Sequence, residues 1–299
     1  MKSTISKILD RIKYNINSKR KYKFFLKDWV NLTDIDASAE VINAMRFSRN
    51  ISPMLMNQPE KKNICVIAPH PDDEMIGPGG TILHALNNGA SVTCIYLTSG
   101  KKNDIADDEA KTVSKKYGYN TVFMGNYSGE IEFSEESYEK LISEIIKIEP
   151  NVLFIPFLLD DHDEHRIVSQ MLMHGYEISE RNNKIDCFSS LEIWCYQVYT
   201  SVFPNVIVNI TDVIAKKKDA VRGWESQFKN RDWAHYVEGL NAYNSRFLHT
   251  KGKKEYAEIF FVVPMKEYID LCKIYFSKNN MPYYLDRYIK QYIEGKNEY

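Results

Sequence analysis

The sequence predicts an α/β protein with a Rossmann-like, mostly parallel sheet flanked by helices, and with helical N- and C-terminal extensions. Two observations support this fold class. From residue 63 onward, short apolar segments rich in β-branched residues alternate with segments of helical period, which is typical of parallel strands joined by right-handed crossovers. The composition, 44% hydrophobic and 26% charged, is that of an ordinary globular protein that folds without disulfides or a structural metal.

Each predicted element has a local signal. Residues 64–68 are a short run of apolar and β-branched residues, and the helix over residues 81–86 stops at an Asn-Asn-Gly sequence. Ser134, followed by two glutamates, is typical of a helix N-cap, and Pro150 ends that helix. Further strands are predicted at residues 91–97, 121–124, 152–155, 191–199, 206–210 and 259–263, with helices at residues 105–117 and 213–228.

The chain divides into three predicted zones. Residues 1–60 form a basic helical N-terminal extension, residues 61–265 form the α/β domain, and residues 266–299 form a C-terminal helical extension that packs on the domain. Isoleucine and leucine recur at helical period in the first 16 residues. That segment therefore either packs on the body or lies on an anionic membrane surface.

The charge is distributed unevenly between these zones. Residues 1–27 hold nine Lys/Arg and one acid, and because the whole chain sums to −1, the remaining residues carry −9. An acidic body lacks the basic surface that phosphate attraction requires, so nucleic acid is excluded as a general partner. The expected partner is a small molecule or glycan. A peripheral membrane contact is an alternative role for residues 1–27, and the oligomeric state stays open.

Hydropathy and cysteine usage predict a cytoplasmic protein, with the membrane-peripheral contact as the alternative. The longest apolar run is about eight residues, whereas a membrane-spanning helix needs about 20, and the N-terminus lacks the pattern of a signal peptide. The five cysteines include no Cys-x-x-Cys pair, and four sit among apolar or aromatic neighbours, as reduced core cysteines do.

Two groups of histidines and carboxylates follow predicted strands. Residues 69–74 read Pro-His-Pro-Asp-Asp-Glu after the first strand, and residues 160–165 read Asp-Asp-His-Asp-Glu-His after the fourth. The carboxyl ends of parallel strands meet at one edge of a sheet, where ligands bind. A catalytic zinc site takes three N or O ligands and leaves a position for water, and His and Asp from one loop with His from the other supply that set.

The remaining Asp and His of these groups are then available for acid–base chemistry. The simpler alternatives are an ordinary polar loop for the first group and a solvated turn that opens a helix for the second. Two further features have more than one interpretation. Gly77, Gly79 and Gly80 resemble a dinucleotide phosphate loop, although the acidic residues before them would repel a phosphate. The aromatic residues between positions 224 and 243 either pack in the core or stack on a sugar ring.

At these residues the chain resembles the PIG-L/LmbE-like zinc-dependent de-N-acetylases. The first motif is residues 68–74 with the glycines after it, and a later His-x-x-His is present at residues 162–165. The family acts on N-acetylglucosamine conjugates, including glycolipid, thiol-glycoside and antibiotic precursors. The likeness extends over about residues 62–264 and includes the segments 97–100, 209–211, 218–227 and 256–260.

The resemblance implies a role for each residue of the two groups. The implied ligands of zinc, or of another divalent metal, are His70, Asp73 and His165. The implied catalytic residues are Asp72, the general base that takes the proton of the attacking water, and His162, which polarises the amide and assists the leaving amine. Glu74 and Glu164 are implied as supporting residues that hydrogen bond around them.

The resemblance therefore implies a hydrolase that removes an N-acetyl group from an amino sugar. The alternatives are hydrolysis of another amide or ester at the same metal site, and a catalytically silent carbohydrate-binding protein of the same fold. The chain departs from the family pattern at three positions. Glu164 stands where the family usually has Asp, Ala106 where it often has Arg, and Ser128 where sugar-binding members have Asp. The last two positions are associated with sugar recognition, so an unusual substrate is expected.

Overall fold

The computed structural model describes residues 53–60, 63–100, 105–228, 231–248 and 251–278. The basic arm predicted at residues 1–27 lies outside these ranges, as do most of the predicted N-terminal extension and residues 279–299 of the C-terminal one. The division of the chain into three zones therefore stays a prediction.

A mostly parallel eight-stranded sheet forms the centre of the described chain, and this confirms the predicted fold class. The strands lie in the order β1-β7-β8-β6-β5-β2-β3-β4. Among the described strands, β8 is the one that runs antiparallel to its neighbours, β6 and β7. The strands are β1 (Met54–Met56), β2 (Asn63–Ala68), β3 (Ser91–Thr98), β4 (Asn120–Asn126), β5 (Val152–Pro156), β6 (Glu192–Tyr196), β7 (Val206–Asn209) and β8 (Ala257–Pro264).

The central strands are buried on both faces. Every residue of β5 is buried, and in β2 every residue after Asn63 is buried. Parallel strands covered by helices on both faces read as continuous apolar runs, which is why these two segments were recognisable in the sequence. The pairing of β2 with β5 sets Cys65 opposite Leu153, and it brings the loops that follow both strands side by side.

Helices cover both faces of the sheet. Helices α4, α5 and α9 contribute to the core on one face, and α1, α2, α3, α6 and α8 to the core on the other. Two short 3-10 helices, Ile185–Phe188 and Ser245–Phe247, complete the described elements. The helices are α1 (Asp73–Ile76), α2 (Gly79–Asn87), α3 (Ala106–Tyr117), α4 (Glu135–Ile148), α5 (Asp163–Arg181), α6 (Ile214–Val221), α7 (Glu225–Phe228), α8 (Trp233–Asn244) and α9 (Met265–Lys278).

The helix ends follow the signals in the sequence. Ser134 caps α4, as predicted, because its Oγ accepts a hydrogen bond from the Ser137 N–H at 3.2 Å. Helix α3 ends at Gly118, whose φ of 86° is a left-handed conformation that glycine adopts readily. Three acidic residues in the first turn of α3 and two lysines in its last turn complement the helix dipole.

The prediction of a single helix over residues 213–228 is wrong. The structure has α6 and α7 instead, with a break that contains Gly223. A β-carbon at Gly223 would lie 2.3 Å from Cγ2 of Val113 in α3, so the chain passes too close to α3 for a larger residue. Trp224, the next residue, is fully buried. These tertiary contacts override the helical pattern of the segment. Strand β1 and helix α8 were not predicted.

Helix α9 packs on the sheet through the buried Tyr268, Cys272 and Tyr275. Four of the five cysteines are buried and none forms a disulfide, whereas Cys187 is exposed. Within the described ranges, no helix combines the length and apolarity that crossing a membrane requires.

Candidate active site

The loops after β2 and β5 bring the two histidine-containing groups together at one edge of the sheet. The ring centroids of His70 and His162 are 4.8 Å apart, and those of His70 and His165 are 5.5 Å apart. His165 is fully buried and the other two rings are half-buried. An ordinary polar loop and a solvated turn, the simpler alternatives, therefore do not describe these residues.

The carboxylate of Asp73 lies between two of these imidazoles. Its Oδ2 is 3.1 Å from Nδ1 of His70 and 3.3 Å from Nε2 of His165. The same oxygen accepts a hydrogen bond from the His70 backbone N–H at 2.9 Å. Two nitrogens and a carboxylate oxygen thus converge, and this donor set is one of those that hold zinc in catalytic sites.

The three histidines offer a second donor set. Ring nitrogens of His70, His162 and His165 all lie within 4.8 Å of one another. The structure thus brings the predicted ligands together, and it brings His162 to the same place, although the resemblance implies a different role for that residue.

The surroundings of His165 fit a metal. Neither of its ring nitrogens makes a hydrogen bond of acceptable geometry, although the side chain is completely buried. Its Nδ1 lies 3.1 Å from Oδ1 of Asp160, and its Nε2 faces Asp73. A buried ring nitrogen that faces a carboxylate but makes no well-aligned hydrogen bond is unfavourable. A histidine ligand that binds metal through one nitrogen and faces a carboxylate with the other resolves that cost.

Asp160 organises the second loop, a role that the sequence reasoning did not assign. It is fully buried and accepts backbone N–H hydrogen bonds from His162 at 3.0 Å, Tyr199 at 3.2 Å and Thr200 at 3.4 Å. It therefore ties the start of α5 to the loop between β6 and β7 while it faces His165. Its one signal in the sequence was its position soon after a buried strand.

Glu164 orients His70. Its Oε2 contacts Nε2 of His70 and accepts a hydrogen bond from the Ser128 hydroxyl at 3.1 Å, and its Oε1 accepts from the Gly129 N–H at 2.6 Å. Since Nε2 of His70 is engaged in this way, its Nδ1 is the nitrogen that faces the Asp73 carboxylate. Ser128 thus contributes to the site through Glu164.

His162 is the N-cap residue of α5. Its Nδ1 accepts a hydrogen bond from the Glu164 N–H at 3.2 Å, so the neutral ring carries its proton on Nε2. The ring stacks on Tyr199, with centroids 5.8 Å apart, and lines the cavity described below. Nε2–H is therefore the hydrogen-bond donor that His162 can offer to a bound molecule.

The backbone of Asp72 is strained. Its φ of 132° and ψ of −26° lie where a residue with a side chain is disfavoured by about 1–3 kcal/mol. Glu74 helps to hold this conformation, because its Oε2 accepts from the Asp72 N–H at 3.2 Å. The other oxygen of Glu74 accepts from the hydroxyls of Tyr96 at 2.5 Å and Tyr119 at 2.8 Å. The buried Glu74 thus fixes the loop that presents Asp72 to the cavity.

Burial and neighbouring carboxylates shift the pKa values of the histidines in opposite directions. Burial by itself favours the neutral ring, but the facing carboxylates outweigh it and raise the pKa of His70 to about 10 and that of His165 to about 9. At His162, burial and the charge of His165 lower the pKa to about 3. The carboxylates thus favour a cation in the cluster, and a metal that binds there would displace protons from His70 and His165.

The carboxylates respond to the same surroundings. Burial, followed by the charge of Asp73, raises the pKa of Asp72 well above its usual range. Burial acts in the same direction on Asp73, but the charges of His165 and His70 outweigh it and hold the pKa of Asp73 low. Two adjacent carboxylates therefore differ in basicity, and such a difference allows one to bind a cation while the other accepts a proton.

A cavity of about 340 Å³ opens above the cluster. Residues of both loops line it, together with Ser128 and Trp233, which the sequence had linked to sugar recognition, and Gly100 and Tyr199, which it had not placed in the site. Trp224 packs in the core, one of the two alternatives for the aromatic residues between positions 224 and 243, whereas stacking of Trp233 on a sugar ring stays a prediction.

Ser226 and Gln227 also line this cavity. The carboxylate of Glu109 on α3 accepts from the Ser226 N–H at 2.9 Å and from its hydroxyl at 2.5 Å. This contact fixes α7 against α3, and it places Gln227 where a bound molecule can reach it.

The glycines after Asp73 serve close packing. A β-carbon at Gly77 would lie 2.3 Å from Cδ2 of Tyr196, and one at Gly80 would lie 2.7 Å from Cγ2 of Ile210. The backbone N–H groups of Gly80 and Thr81 donate to the Glu258 carboxylate at 2.6 and 2.8 Å. Because a carboxylate already occupies these donors, the N-terminus of α2 is not a phosphate site.

Comparisons with known proteins support the resemblance that the two motifs indicated. Residues 65–176 match the family model PIG-L, described as GlcNAc-PI de-N-acetylase. The diacetylchitobiose deacetylase of Thermococcus kodakarensis is 26% identical over 201 residues, which are 60% of this chain and 75% of that protein.

Two solved structures share the fold. The N,N'-diacetylchitobiose deacetylase of Pyrococcus horikoshii has a TM-score of 0.59 and 24% identity, over 79% of this chain and 97% of that one. The 4-carboxy-2-hydroxymuconate hydratase of Pseudomonas putida KT2440 has a TM-score of 0.58 and 14% identity, over 70% of this chain and 96% of that one. At these identities the structural likeness shows the fold alone, and these two proteins carry different chemistries on it. The family match over residues 65–176, which include both histidine-containing groups, confirms the resemblance: this part of the chain is similar to the PIG-L family.

Proposed function

We propose that this chain is a metal-dependent hydrolase that removes the N-acetyl group from an acetylated amino sugar and releases acetate. The observation that carries the proposal is the convergence of His70 and the buried His165 on the carboxylate of Asp73, at the base of a cavity that His70, Asp72 and Asp73 line. The family match and the name of the Thermococcus kodakarensis relative support the same reaction.

We assign the metal to His70, Asp73 and His165. A divalent ion held there, zinc above all, supplies a Lewis acid that polarises the acetyl carbonyl and lowers the pKa of water. Glu164 holds His70 and Asp160 faces His165, so each histidine has a carboxylate on the nitrogen that does not face Asp73. That arrangement keeps both rings oriented when the ion is absent.

Asp72 is assigned as the base. Water adds to the acetyl carbonyl carbon while Asp72 takes the proton that this water loses. That proton then passes to the amide nitrogen as the C–N bond breaks, which gives a free amine and acetic acid, and the acid ionises to acetate. The raised pKa of Asp72, which burial and Asp73 cause, makes its carboxylate a better proton acceptor than an exposed aspartate. The strained backbone at this residue supports the assignment, since strain of this kind concentrates at functional positions.

His162 is assigned to the carbonyl oxygen and the leaving nitrogen. Its Nδ1 is engaged by the Glu164 N–H, so Nε2–H is the group that donates into the cavity. A neutral imidazole that donates in this way stabilises the negative charge that develops on the acetyl oxygen. Burial, the largest cause of the low pKa of His162, favours the neutral ring.

Acetate release from N-acetylglucosaminyl substrates, together with the metal content of each variant, tests these assignments. Asp72→Ala should retain the metal and lose activity by about 10²–10⁴-fold, the usual contribution of a general base. His165→Ala should lose both metal and activity. Acetate release that persists in Asp72→Ala, or after the metal is stripped, would contradict the proposal.

His162→Ala decides between the two donor sets. If Asp73 is the third ligand, the variant keeps stoichiometric metal and loses turnover. If the three histidines hold the metal, the variant loses metal and Asp73→Asn retains it. A panel of other amides and esters, assayed with the same variants, tests whether the acetyl sugar is the preferred substrate. A metal-free chain that binds sugars without turnover would instead indicate the catalytically silent alternative.

The basic arm gives a separate prediction about location. We propose that residues 1–27 attach the protein to an anionic membrane surface from a reducing compartment, the cytoplasm, because they carry a net charge of +8 and the buried cysteines are unpaired. Deletion of residues 1–27 should abolish binding to anionic liposomes and keep deacetylation. If the full chain does not bind such liposomes, the prediction is wrong.

A further inference from the structure

We propose that an apolar groove beside the catalytic cavity binds a hydrocarbon aglycone, an alkyl or aromatic group attached to the amino sugar. The proposal rests on the proposed function and names the substrate class. The groove has a volume of about 420 Å³ and lies between α8 and the end of α1. Its described lining residues, apart from Ile76 and Trp233, are Val198, His235, Tyr236, Val237, Gly239, Leu240 and Tyr243.

The groove adjoins the catalytic cavity. Ile76 and Trp233 line both spaces. Val198, in the groove, directly precedes Tyr199, which lines the cavity and stacks on His162. A sugar whose acetyl group reaches Asp72 therefore has the groove within reach of its other substituents, and what is attached to the sugar is the first candidate to fill it.

The chemistry of the groove favours hydrocarbon over a second sugar. Its floor is aliphatic and buried, formed by Ile76, Val198 and Val237. Its rim is aromatic, with Tyr236 53% and Tyr243 64% exposed. None of the described lining residues is an acid, a lysine or an arginine. Hydroxyl groups buried on such a floor would lack partners, which is unfavourable, whereas a hydrocarbon chain gains by leaving water.

The exposed aromatic rim also argues for an occupant. Large apolar side chains that are exposed together, next to a polar cavity, mark a ligand-binding surface more often than an arbitrary one. Aromatic and aliphatic side chains with few polar groups are the usual lining of small-molecule sites.

Gly239 allows the groove to be filled without removing any contact. It lies in α8 and lines the groove, and a β-carbon there would meet no atom within 4 Å. Gly239→Phe therefore places a ring in open space and removes groove volume. Gly239→Ala is the matched control, because it makes the same change in backbone freedom and adds a single methyl group.

The test compares methyl and octyl N-acetyl-β-D-glucosaminides below the micelle concentration, with the metal-loaded full chain. The readout is the ratio of kcat/KM for the octyl substrate to that for the methyl substrate, so that any general change in activity cancels. We expect a ratio of at least about 10 in the wild type, since one well-buried methylene already contributes that much. The ratio should fall to within about threefold of unity in Gly239→Phe and stay high in Gly239→Ala.

Other outcomes would overturn the inference. A ratio near unity in the wild type, or a high ratio that Gly239→Phe leaves unchanged, excludes the groove as the aglycone site. A preference for diacetylchitobiose that disappears in Gly239→Phe would assign the groove to a second sugar. No octyl preference together with a lowered Tm in Gly239→Phe would assign it to a segment of the chain itself, such as residues 1–52.

A calorimetric titration separates failure of the groove from failure of the proposed function. Octyl β-D-glucoside, which has no acetyl group, should bind the wild type at least tenfold more tightly than methyl β-D-glucoside, and this difference should disappear in Gly239→Phe. If no substrate releases acetate but this binding pattern holds, the proposed function fails and the groove assignment stands. If methyl substrate is turned over and octyl glucoside does not bind, the groove assignment alone fails.

Discussion

Replacing Glu258 with glutamine should destabilise the protein more than any surface substitution, because Glu258 is one half of a buried ion pair beneath the active site. Its carboxylate accepts hydrogen bonds from Lys217 Nζ at 2.6 Å and from the Gly80 and Thr81 N–H groups. Lys217 is 0% and Glu258 2% exposed. Burial, outweighing the attraction of Glu258, lowers the pKa of Lys217. Lys217 also donates to the Gly77 carbonyl at 2.9 Å, so the pair links β8, α6 and the segment that follows α1.

The magnitude follows from what each variant leaves behind. In Glu258→Gln the ammonium of Lys217 stays buried without a counter-charge and keeps only neutral acceptors, the Gly77 carbonyl and the glutamine carbonyl. Loss of one charge from a buried pair costs about 3–5 kcal/mol. The glutamine amide also turns an N–H toward a backbone donor, which adds about 1 kcal/mol. Lys217→Met leaves a carboxylate that still has its backbone donors, so about 1–3 kcal/mol is expected. The double variant buries no charge and should recover at least about 2 kcal/mol relative to the sum of the two single variants.

Urea unfolding followed by circular dichroism, at 15 °C and with metal removed, gives the free energy of unfolding for all four proteins of the cycle. A metal titration of the wild type and the two single variants is also needed. Lys217 holds the Gly77 carbonyl, so its displacement would shift Asp73, a proposed metal ligand, and lower metal affinity. A loss below about 1 kcal/mol in Glu258→Gln would refute the reasoning, since a charge that is truly buried and unpaired cannot be that inexpensive. Strict additivity in the double variant would equally refute the coupling.

Three further predictions concern the residues around the cluster. Asp160→Asn should weaken metal binding by about 10–100-fold, because it disturbs the carboxylate that faces His165, and competition with a chelator measures this. Gly77→Ala should cost about 1–3 kcal/mol in urea unfolding, because its β-carbon would lie 2.3 Å from Cδ2 of Tyr196. In the metal-free protein, burial raises the pKa of Glu74 from 4.5 to about 7. Its protonation therefore favours the folded state fully below about pH 4.5, and this contribution is lost as the pH rises through 7. Between pH 5 and pH 7.5 the wild type should lose more stability than Glu74→Gln.

Each of these predictions has a control and a contrary outcome. The control for Asp160→Asn is Asp108→Asn, at an exposed carboxylate of α3, which should leave metal affinity unchanged. An equal loss of metal affinity in Asp108→Asn would show that the effect of Asp160→Asn is nonspecific. The control for Gly77→Ala is Gly239→Ala, whose β-carbon meets no atom within 4 Å and which should stabilise α8 by about 0.5–1 kcal/mol. If Gly77→Ala and Gly239→Ala both destabilise the protein, the close contact of Gly77 with Tyr196 is not the cause. Parallel pH profiles for the wild type and Glu74→Gln would show that Glu74 does not titrate in that range.

The sequence predicted the sheet most accurately at the strands whose burial is visible in their local sequence. Strands β2 and β5 are buried on both faces, so their apolar runs identify them without further information. The predicted helix over residues 213–228 failed because its break depends on α3. At Gly223 the chain meets Val113, more than 100 residues earlier, and no local pattern contains that contact.

The residues of the candidate site likewise include some that local sequence predicts and others that only long-range packing places there. The histidine and carboxylate groups were visible because they follow buried strands, and the carboxyl ends of parallel strands always share one edge. Tyr199 was not placed in the cavity by the sequence, because it lies in a loop whose position depends on long-range packing. The same holds for the contact between Glu109 and Ser226, which joins residues 117 positions apart.

By itself, then, the sequence determined the fold class and the edge of the sheet where the histidine and carboxylate groups meet, because strand burial, connectivity and side-chain chemistry are local properties. The tertiary structure alone decided which carboxylate orients which histidine: Glu164 contacts His70, and Asp160 faces His165. It also decided that Glu258 occupies the N-terminus of α2, and that an apolar groove adjoins the cavity. These features depend on distances between residues far apart in the chain, and such distances exist only once the helices have packed on the sheet.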